Sequence, residues 1–181
     1  MSVAPFLLGT LPTPIGTMLL VFDEASHLRA LDWSDHEARM RRLLRLHYGT
    51  AFLLREADPP PRLAEPIAAY FAGNLRAIDG LAVRTNGTAF QREVWAALRT
   101  IPVGTTMSYG ALAQRLGRDK AVRAVGLANG ANPVGLVVPC HRVIGANATL
   151  TGYGGGLHRK QWLIAHEGVT LGGRQGRLDL G

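Results

Sequence analysis

Cysteine is almost absent from this sequence. Cys140 is the only cysteine among 181 residues, which excludes an internal disulfide and a zinc module built on several cysteines. A chain without disulfides has no need of an oxidising compartment, so the composition predicts a cytoplasmic protein. A lone thiol is either a small buried hydrophobe or a reactive group, and both interpretations stay open for Cys140 on composition alone.

Long apolar runs are missing as well. No stretch approaches the roughly 18 apolar residues of a membrane-spanning helix. Residues 1–5 also lack the basic start and apolar centre of a secretory signal. We therefore expect no membrane partner and no export. Hydrophobic residues nevertheless make up 47% of the chain, which is enough for a packed core in one domain or two small ones.

Acidic residues are the scarcer charged class. The sequence has 13 Asp and Glu against 20 Lys and Arg, a formal net charge of +7. An excess of positive charge raises encounter rates with polyanions and supports phosphate binding, so nucleic acid heads the expected partners. Other acidic partners remain an alternative, because many basic proteins bind no nucleic acid.

The first 80 residues are predicted to form a small α+β domain. Residues 6–33 alternate short apolar runs with turn residues, which predicts three strands joined by hairpin turns. Residues 34–47 carry apolar side chains at helical spacing, with Ser34 as a candidate N-cap, and a second short helix is predicted over residues 63–71. This domain, residues 1–80, shows no cluster of catalytic residue types.

Helices dominate the prediction for the second domain, residues 81–181. A helix capped by Thr88 is followed by one capped by Ser108, and by another that begins at residue 119 or 120 and ends at Asn129. Two short helices around a glycine-containing turn are typical of the helix-turn-helix motif, although an ordinary helical hairpin is more common.

The second helix of this pair is unusual in being made of small residues. Its charged exceptions are Lys120 and Arg123; the small ones are Ala121, Ala124, Gly126, Ala128 and Gly130. A helix that reads the major groove would carry Arg, Asn or Gln aimed at base edges. The composition therefore predicts close contact with DNA that is indifferent to base sequence.

Cys140 and His141 follow an apolar run, residues 134–138, that predicts a buried strand. An imidazole beside a thiol is the kind of neighbour that lowers a cysteine pKa and produces a nucleophilic thiolate. Downstream, three consecutive glycines (Gly154 to Gly156) lack the Lys-Ser or Lys-Thr of a phosphate-binding loop. They predict backbone close to a ligand or to Cys140, before a last helix over residues 157–167.

Several motifs in a fixed order carry a family resemblance. They are Ser108-Tyr109, Arg123-Ala124-Val125-Gly126, Asn132-Pro133, Pro139-Cys140-His141-Arg142-Val143 and Tyr153. In this order they resemble the O6-alkylguanine-DNA alkyltransferases, the methylated-DNA–protein-cysteine methyltransferases, of the bacterial constitutive single-chain type. The resemblance is dense from residue 90 to 168 and looser over residues 10–75. It implies a ribonuclease H-like N-terminal domain and a C-terminal domain with a helix-turn-helix.

The resemblance implies a role for each catalytic position. Cys140 would accept the alkyl group from O6 of guanine, His141 would take the thiol proton through a water, and Glu167 would hold the imidazole. Asn132 would brace the Cys-His turn, and Tyr109 would donate its hydroxyl proton toward the guanine ring.

The same resemblance implies how duplex DNA is held. Arg123 would fill the place left by a flipped-out base, while the helix around it lies in the minor groove. The implied DNA-binding positions are Arg123, Ala124, Gly126, Tyr109, Ser108 and Lys120. The implied walls of the base pocket are Val143, Tyr153, Gly154 and Gly155, and Gly154 stands where relatives often carry Ala or Ser.

The resemblance further implies a monomer that repairs duplex DNA containing O6-alkylguanine, and also O4-alkylthymine, in a single turnover. No cofactor and no metal is expected. Three other classes remain for comparison. They are a binding module that has lost the nucleophile, a helix-turn-helix regulator and a Cys-His hydrolase, which would need an oxyanion hole.

Overall fold

A computed structural model describes residues 3–50 and 52–171. Their backbone divides into two units. The first comprises the described residues up to Gly87 with Pro133–Val137, and the second comprises Thr88–Asn132 with residues 138–171. Helices and strands both occur, so the predicted α+β class is confirmed. The predicted domains, residues 1–80 and 81–181, stay a prediction, because compactness alone does not test independent folding or function.

A four-stranded sheet forms the centre of the first unit. Its strand order is β3-β2-β1-β4, and the strands are β1 (Ala4–Thr13), β2 (Gly16–Phe22), β3 (Leu28–Trp33) and β4 (Phe52–Glu56). The first three are antiparallel neighbours, as the alternation of apolar runs and turns predicts. Strand β4 lies parallel to β1 and was not predicted, because its five residues show no alternating pattern.

Two helices accompany this sheet, α1 (Glu37–Tyr48) and α2 (Pro61–Phe71). Helix α1 buries Met40 and Leu44 against apolar side chains of the first three strands, which excludes water from the sheet face. The prediction of Ser34 as N-cap is wrong. Residues Ser34–His36 form one 3-10 turn ahead of α1, and no side chain caps either helical segment.

The apolar run after Pro133 is buried but is not a strand. Leu31 N donates to Pro133 O at 2.9 Å and Gly135 N donates to Leu31 O at 3.2 Å, which gives Val134 one bridge to β3. Leu136 then adopts a left-handed backbone with φ of 70°, which no extended strand accommodates. The strand predicted over residues 134–138 is therefore wrong, because burial rather than strand pairing explains the apolar composition.

The described part of the second unit, up to residue 171, contains four α-helices: α3 (Ala89–Leu98), α4 (Tyr109–Arg115), α5 (Val122–Gly130) and α6 (Leu157–His166). The predicted caps at Thr88 and Ser108 are confirmed, because each side chain accepts a backbone N–H of its helix. Trp95 on α3 donates its indole N–H to Ala128 O at 2.8 Å and so anchors α5. Two short parallel strands, β5 (Met107–Ser108) and β6 (Val143–Ile144), complete the unit.

No helix in the described parts of the chain is long and apolar enough to cross a membrane.

Candidate active site

Cys140 begins a single 3-10 turn, Cys140–Arg142, that runs directly into β6. Its backbone N–H donates to Val138 O at 2.8 Å, which bends the chain sharply after Pro139. The residue is 7% exposed, whereas His141 is fully enclosed. A reagent that reaches this thiol must therefore enter a recess in the protein surface.

A buried carboxylate organises the turn from the end of α6. His141 Nε2 lies 2.8 Å from Glu167 Oε1. Arg142 donates to both oxygens of the same carboxylate, from Nε at 2.9 Å and from Nη2 at 3.0 Å, and its Nη1 donates to Ile101 O at 2.8 Å. The bidentate contact to Arg142 fixes the orientation of the carboxylate that also contacts the imidazole.

Burial and charge set the protonation states of this cluster. Burial would raise the pKa of Glu167, but its contacts with His141 and Arg142 outweigh that effect and lower the pKa well below its ordinary value. Burial lowers the pKa of His141, with only partial opposition from Glu167 and with further lowering by the positive charges of Arg142 and Lys160. At neutral pH the pair is an ionised carboxylate and a neutral imidazole.

The second ring nitrogen of His141 is free to act as a base. Glu167 can only accept, so the ring carries its proton on Nε2 and leaves Nδ1 as an acceptor. This Nδ1 is buried and has no hydrogen-bond partner among the described residues. A neutral imidazole with an available lone pair beside the only cysteine is the arrangement that activates a thiol.

Asn132 ties the end of α5 to the segment before the cysteine. Its side-chain amide Nδ2 donates to Val138 O at 2.8 Å, and the residue is buried. The same carbonyl also accepts from Cys140 N. The predicted bracing position therefore contacts the backbone that shapes the Cys-His turn.

Lys160 is a buried cation that the sequence analysis missed. Its Nζ donates to Val143 O at 2.7 Å, to Thr151 O at 2.9 Å and to Gly152 O at 3.4 Å. Burial lowers its pKa to about 8, and negative charge on Cys140 opposes that change. Lys160 thus joins β6 to the following loop and places a cation within electrostatic range of the thiol.

The family resemblance likewise implies no role for Arg142, although Arg142 is the main partner of Glu167.

The sequence does contain a signal that would have identified Lys160. Lys160, Leu163 and Ile164 lie at helical spacing on one face of α6, in line with Glu167 just after the helix. The apolar side chains of Leu163 and Ile164 mark that face as buried. A Lys on the buried face of a helix requires acceptors, which here are carbonyl groups.

Three of the four predicted pocket residues, Tyr153, Gly154 and Gly155, lie on the loop that Lys160 holds. Val143 is buried in β6, Tyr153 and Gly154 are half-buried, and Gly155 is buried. Arg159 fixes the loop from the other side, because its Nη1 donates to Gly155 O at 2.9 Å. The structure therefore joins this loop to β6 through side chains of α6.

Tyr109 connects the loop with α5. Its hydroxyl donates a long hydrogen bond of 3.5 Å to Thr151 O. Its ring lies against Gly126, where a Cβ would stand 3.7 Å from Cδ1. The ring of Tyr109 therefore packs beside α5 at a distance that would leave room for a Cβ at position 126.

The remaining predicted DNA-binding residues lie on the outer side of the same unit. Arg123, Ala124 and Lys120 are exposed, and Ser108 is half-buried with its hydroxyl engaged as the cap of α4. Among the residues that the structure describes, neither Arg123 nor Lys120 has a hydrogen-bond or ion-pair partner. Within residues 3–50 and 52–171 no group of three or more His, Cys, Asp or Glu side chains could hold a metal ion.

Comparison with known proteins shows the family of this chain. The family model described as "6-O-methylguanine DNA methyltransferase, DNA binding domain" matches residues 89–169. The methylated-DNA–protein-cysteine methyltransferase of Salmonella typhimurium is 56% identical over 160 residues, which is 88% of this chain and 94% of the relative. That of Shigella flexneri is 53% identical over the same shares.

The chain belongs to the methylated-DNA–protein-cysteine methyltransferase family.

Solved structures of the family agree. The O6-methylguanine methyltransferase of Mycobacterium tuberculosis superposes with a TM-score of 0.72 at 38% identity, over 90% of this chain and 92% of the other. A structure of that organism's OGT in complex with DNA gives 0.73 at 39%, over 91% and 92%. Cys140 is the only cysteine in this chain.

Proposed function

We propose that the protein repairs duplex DNA by moving the alkyl group of O6-alkylguanine irreversibly onto Cys140. The observation that carries this proposal is the neutral, buried His141, whose Nδ1 is free while Glu167 occupies Nε2. A solvated thiol is mostly protonated at neutral pH, so a nucleophile for alkyl transfer requires a neighbouring base. Family membership supports the same chemistry.

The transfer is a displacement at carbon. The sulfur–carbon bond forms as the bond between the alkyl carbon and O6 of guanine breaks, and the guanine leaves with the electron pair. The thiol proton passes through a water to His141, and Tyr109 donates a proton toward the guanine ring as negative charge develops there. The proton on His141 then replaces, through solvent, the one that Tyr109 gave up, so that overall one proton moves from sulfur to guanine. The thioether product has no partner in the reaction that would regenerate the thiol. One turnover per molecule follows.

The base must leave the duplex before it can meet a thiol that is almost enclosed. Base extrusion costs a few kcal/mol and costs less where alkylation has weakened the pair. We assign this step to α4 and α5 acting as a helix-turn-helix with α5 in the minor groove, where Arg123 replaces the extruded base. Support comes from the exposure of Arg123 and from the small residues around it.

Two parts of the proposal concern the pocket and the first unit. The base pocket is lined by Val143, Tyr153, Gly154 and Gly155, and Lys160 and Arg159 of α6 hold it in place.

A ribonuclease H-like first domain is supported by the sheet order, with three antiparallel strands and β4 parallel to β1.

The decisive test uses duplex DNA with O6-methylguanine labelled in the methyl group. We expect one equivalent of label on Cys140 per protein molecule and none on Cys140→Ala, which should still bind the duplex. Turnover beyond one equivalent would contradict the proposal. Binding without transfer by the wild-type protein would make it a damage-recognition module instead. A duplex with labelled O4-methylthymine measures the second substrate in the same assay.

A further inference from the structure

Helix α5 carries both of the large exposed hydrophobic side chains that the structure describes in the second unit. They are Val122 and Leu127, and Leu127 is 70% exposed. Single exposed leucines are common on protein surfaces and need no explanation. Helix α5, however, has two exposed hydrophobic side chains within nine residues, and its other exposed residues are mostly small. This surface of α5 therefore differs from one that carries a single exposed leucine.

Leu127 lies one helical turn after Arg123. Residues four apart share a helix face, and both side chains point to solvent. Four residues rise about 6 Å along the helix. This distance is shorter than two base-pair steps of DNA, each of which is about 3.4 Å. With α5 running along the groove, a duplex that accepts Arg123 in its stack would therefore meet Leu127 within two base pairs of the vacated position.

The surroundings of Leu127 allow such an approach. Ala124 and Gly130 flank it on the exposed side, and a Cβ at Gly130 would have no heavy atom within 4 Å. The buried side of α5 is fixed by the hydrogen bond from Trp95 to Ala128 O. Leu127 thus projects from a rigid helix past neighbours that are shorter than itself.

We propose that Leu127 is an apolar wedge that enters the minor groove beside Arg123 and holds the duplex open during base extrusion. Proteins that kink DNA from the minor groove use Leu, Ile, Met or Phe in this way, because an apolar side chain covers unstacked base faces without needing hydrogen bonds. Arg123 supplies the polar filling of the gap, and Leu127 supplies the apolar contact next to it. This inference rests on the proposed placement of α5 in the minor groove.

The test compares Leu127→Ala with Leu46→Ala. Leu46 is 68% exposed on α1 of the first unit and controls for loss of an exposed leucine. Duplex affinity is measured in a Cys140→Ala background, and extrusion is followed with a fluorescent base opposite the O6-methylguanine. We expect Leu127→Ala to bind about tenfold more weakly and to extrude less, Leu127→Met to restore both, and Leu46→Ala to match the parent.

A second substrate separates the wedge from the chemistry. Transfer from free O6-methylguanine base requires the pocket but no duplex, so Leu127→Ala should react with the free base at the wild-type rate. Equal loss with free base and duplex would overturn the wedge, as would equal duplex affinity and extrusion for Leu127→Ala and Leu46→Ala. Failure of the wild-type protein to alkylate Cys140 from either substrate would instead overturn the proposed function, while the binding comparison would still decide the role of Leu127.

Discussion

Glu167 is the residue on which the charge balance of the active site depends. One carboxylate oxygen accepts a hydrogen bond from His141, and both oxygens accept hydrogen bonds from the guanidinium of Arg142. All three side chains are almost fully buried. A buried ion pair contributes little net stability compared with apolar packing, yet removal of one partner leaves an uncompensated charge.

Glu167→Gln should therefore be strongly destabilising although the side chain keeps its shape. We expect a loss of about 3 to 5 kcal/mol in the free energy of unfolding, because Arg142 remains charged in a buried site. The measurement is urea denaturation. Glu93→Gln is the matched control, because it removes the carboxylate partner of Arg118 in an exposed pair, for which about 0 to 1 kcal/mol is expected. Equal losses in the two variants would refute this account of the cluster.

Helix α5 illustrates how an element can give up stability for access. Alanine is the better helix former, and glycine costs roughly 0.5 to 1 kcal/mol in a helix. Of the two glycines in α5, Gly126 receives the ring of Tyr109, whereas Gly130 has open space where a Cβ would be. A Cβ at position 126 would make only ordinary van der Waals contact with that ring, so packing within the protein requires neither glycine.

Gly130→Ala should stabilise the protein and weaken its binding to DNA. A gain of a few tenths of a kcal/mol is expected from helix propensity at the helix end. The added methyl group would separate the exposed face of α5 from the sugar-phosphate backbone, and we expect severalfold weaker duplex affinity. Thermal melting and fluorescence anisotropy are the measurements. Gly80→Ala, at a second position with open space, should leave affinity unchanged; unchanged affinity in Gly130→Ala as well would remove this face from the DNA interface.

At the scale of the whole molecule, buried ionisable groups make stability depend on pH. Burial lowers the pKa of His141 below 6.5 in the folded state, so as the pH falls through 6.5 the unfolded chain takes up this proton first. The pKa of Glu167 also lies below its ordinary 4.5 in the folded state, so the unfolded carboxylate is protonated first as well. In both cases the unfolded state binds more protons, and acid destabilises the fold.

We expect the free energy of unfolding to fall between pH 7 and pH 5 as the His141 imidazole of the unfolded chain is protonated, and to fall further below pH 4.5. Urea midpoints across this range measure the effect. The variant Glu167→Gln, already less stable, should lack the further fall below pH 4.5. A stability that rises on acidification, or a further fall that persists in the variant, would contradict the assignment.

The local sequence pattern was enough to predict most of the strands and helices. The hairpins of the first three strands and the capped helices at Thr88 and Ser108 depend on turn residues and caps that lie within a few positions of one another. Strand β4 and the run after Pro133 depend on distant partners. The first gains its hydrogen bonds from β1 and the second its bridge from Leu31, and neither partner is visible in the local sequence.

The sequence by itself determined the single thiol, its neighbouring imidazole and the small-residue helix, because composition and adjacency record these directly. Tertiary structure alone decided how they work. It placed Glu167 on Nε2 of His141, supplied the buried charges of Arg142 and Lys160, and left Leu127 exposed beside Arg123. The physical reason is that a pKa, a buried ion pair and an exposed face each depend on which groups lie within a few ångströms, and chain folding rather than chain order sets those distances.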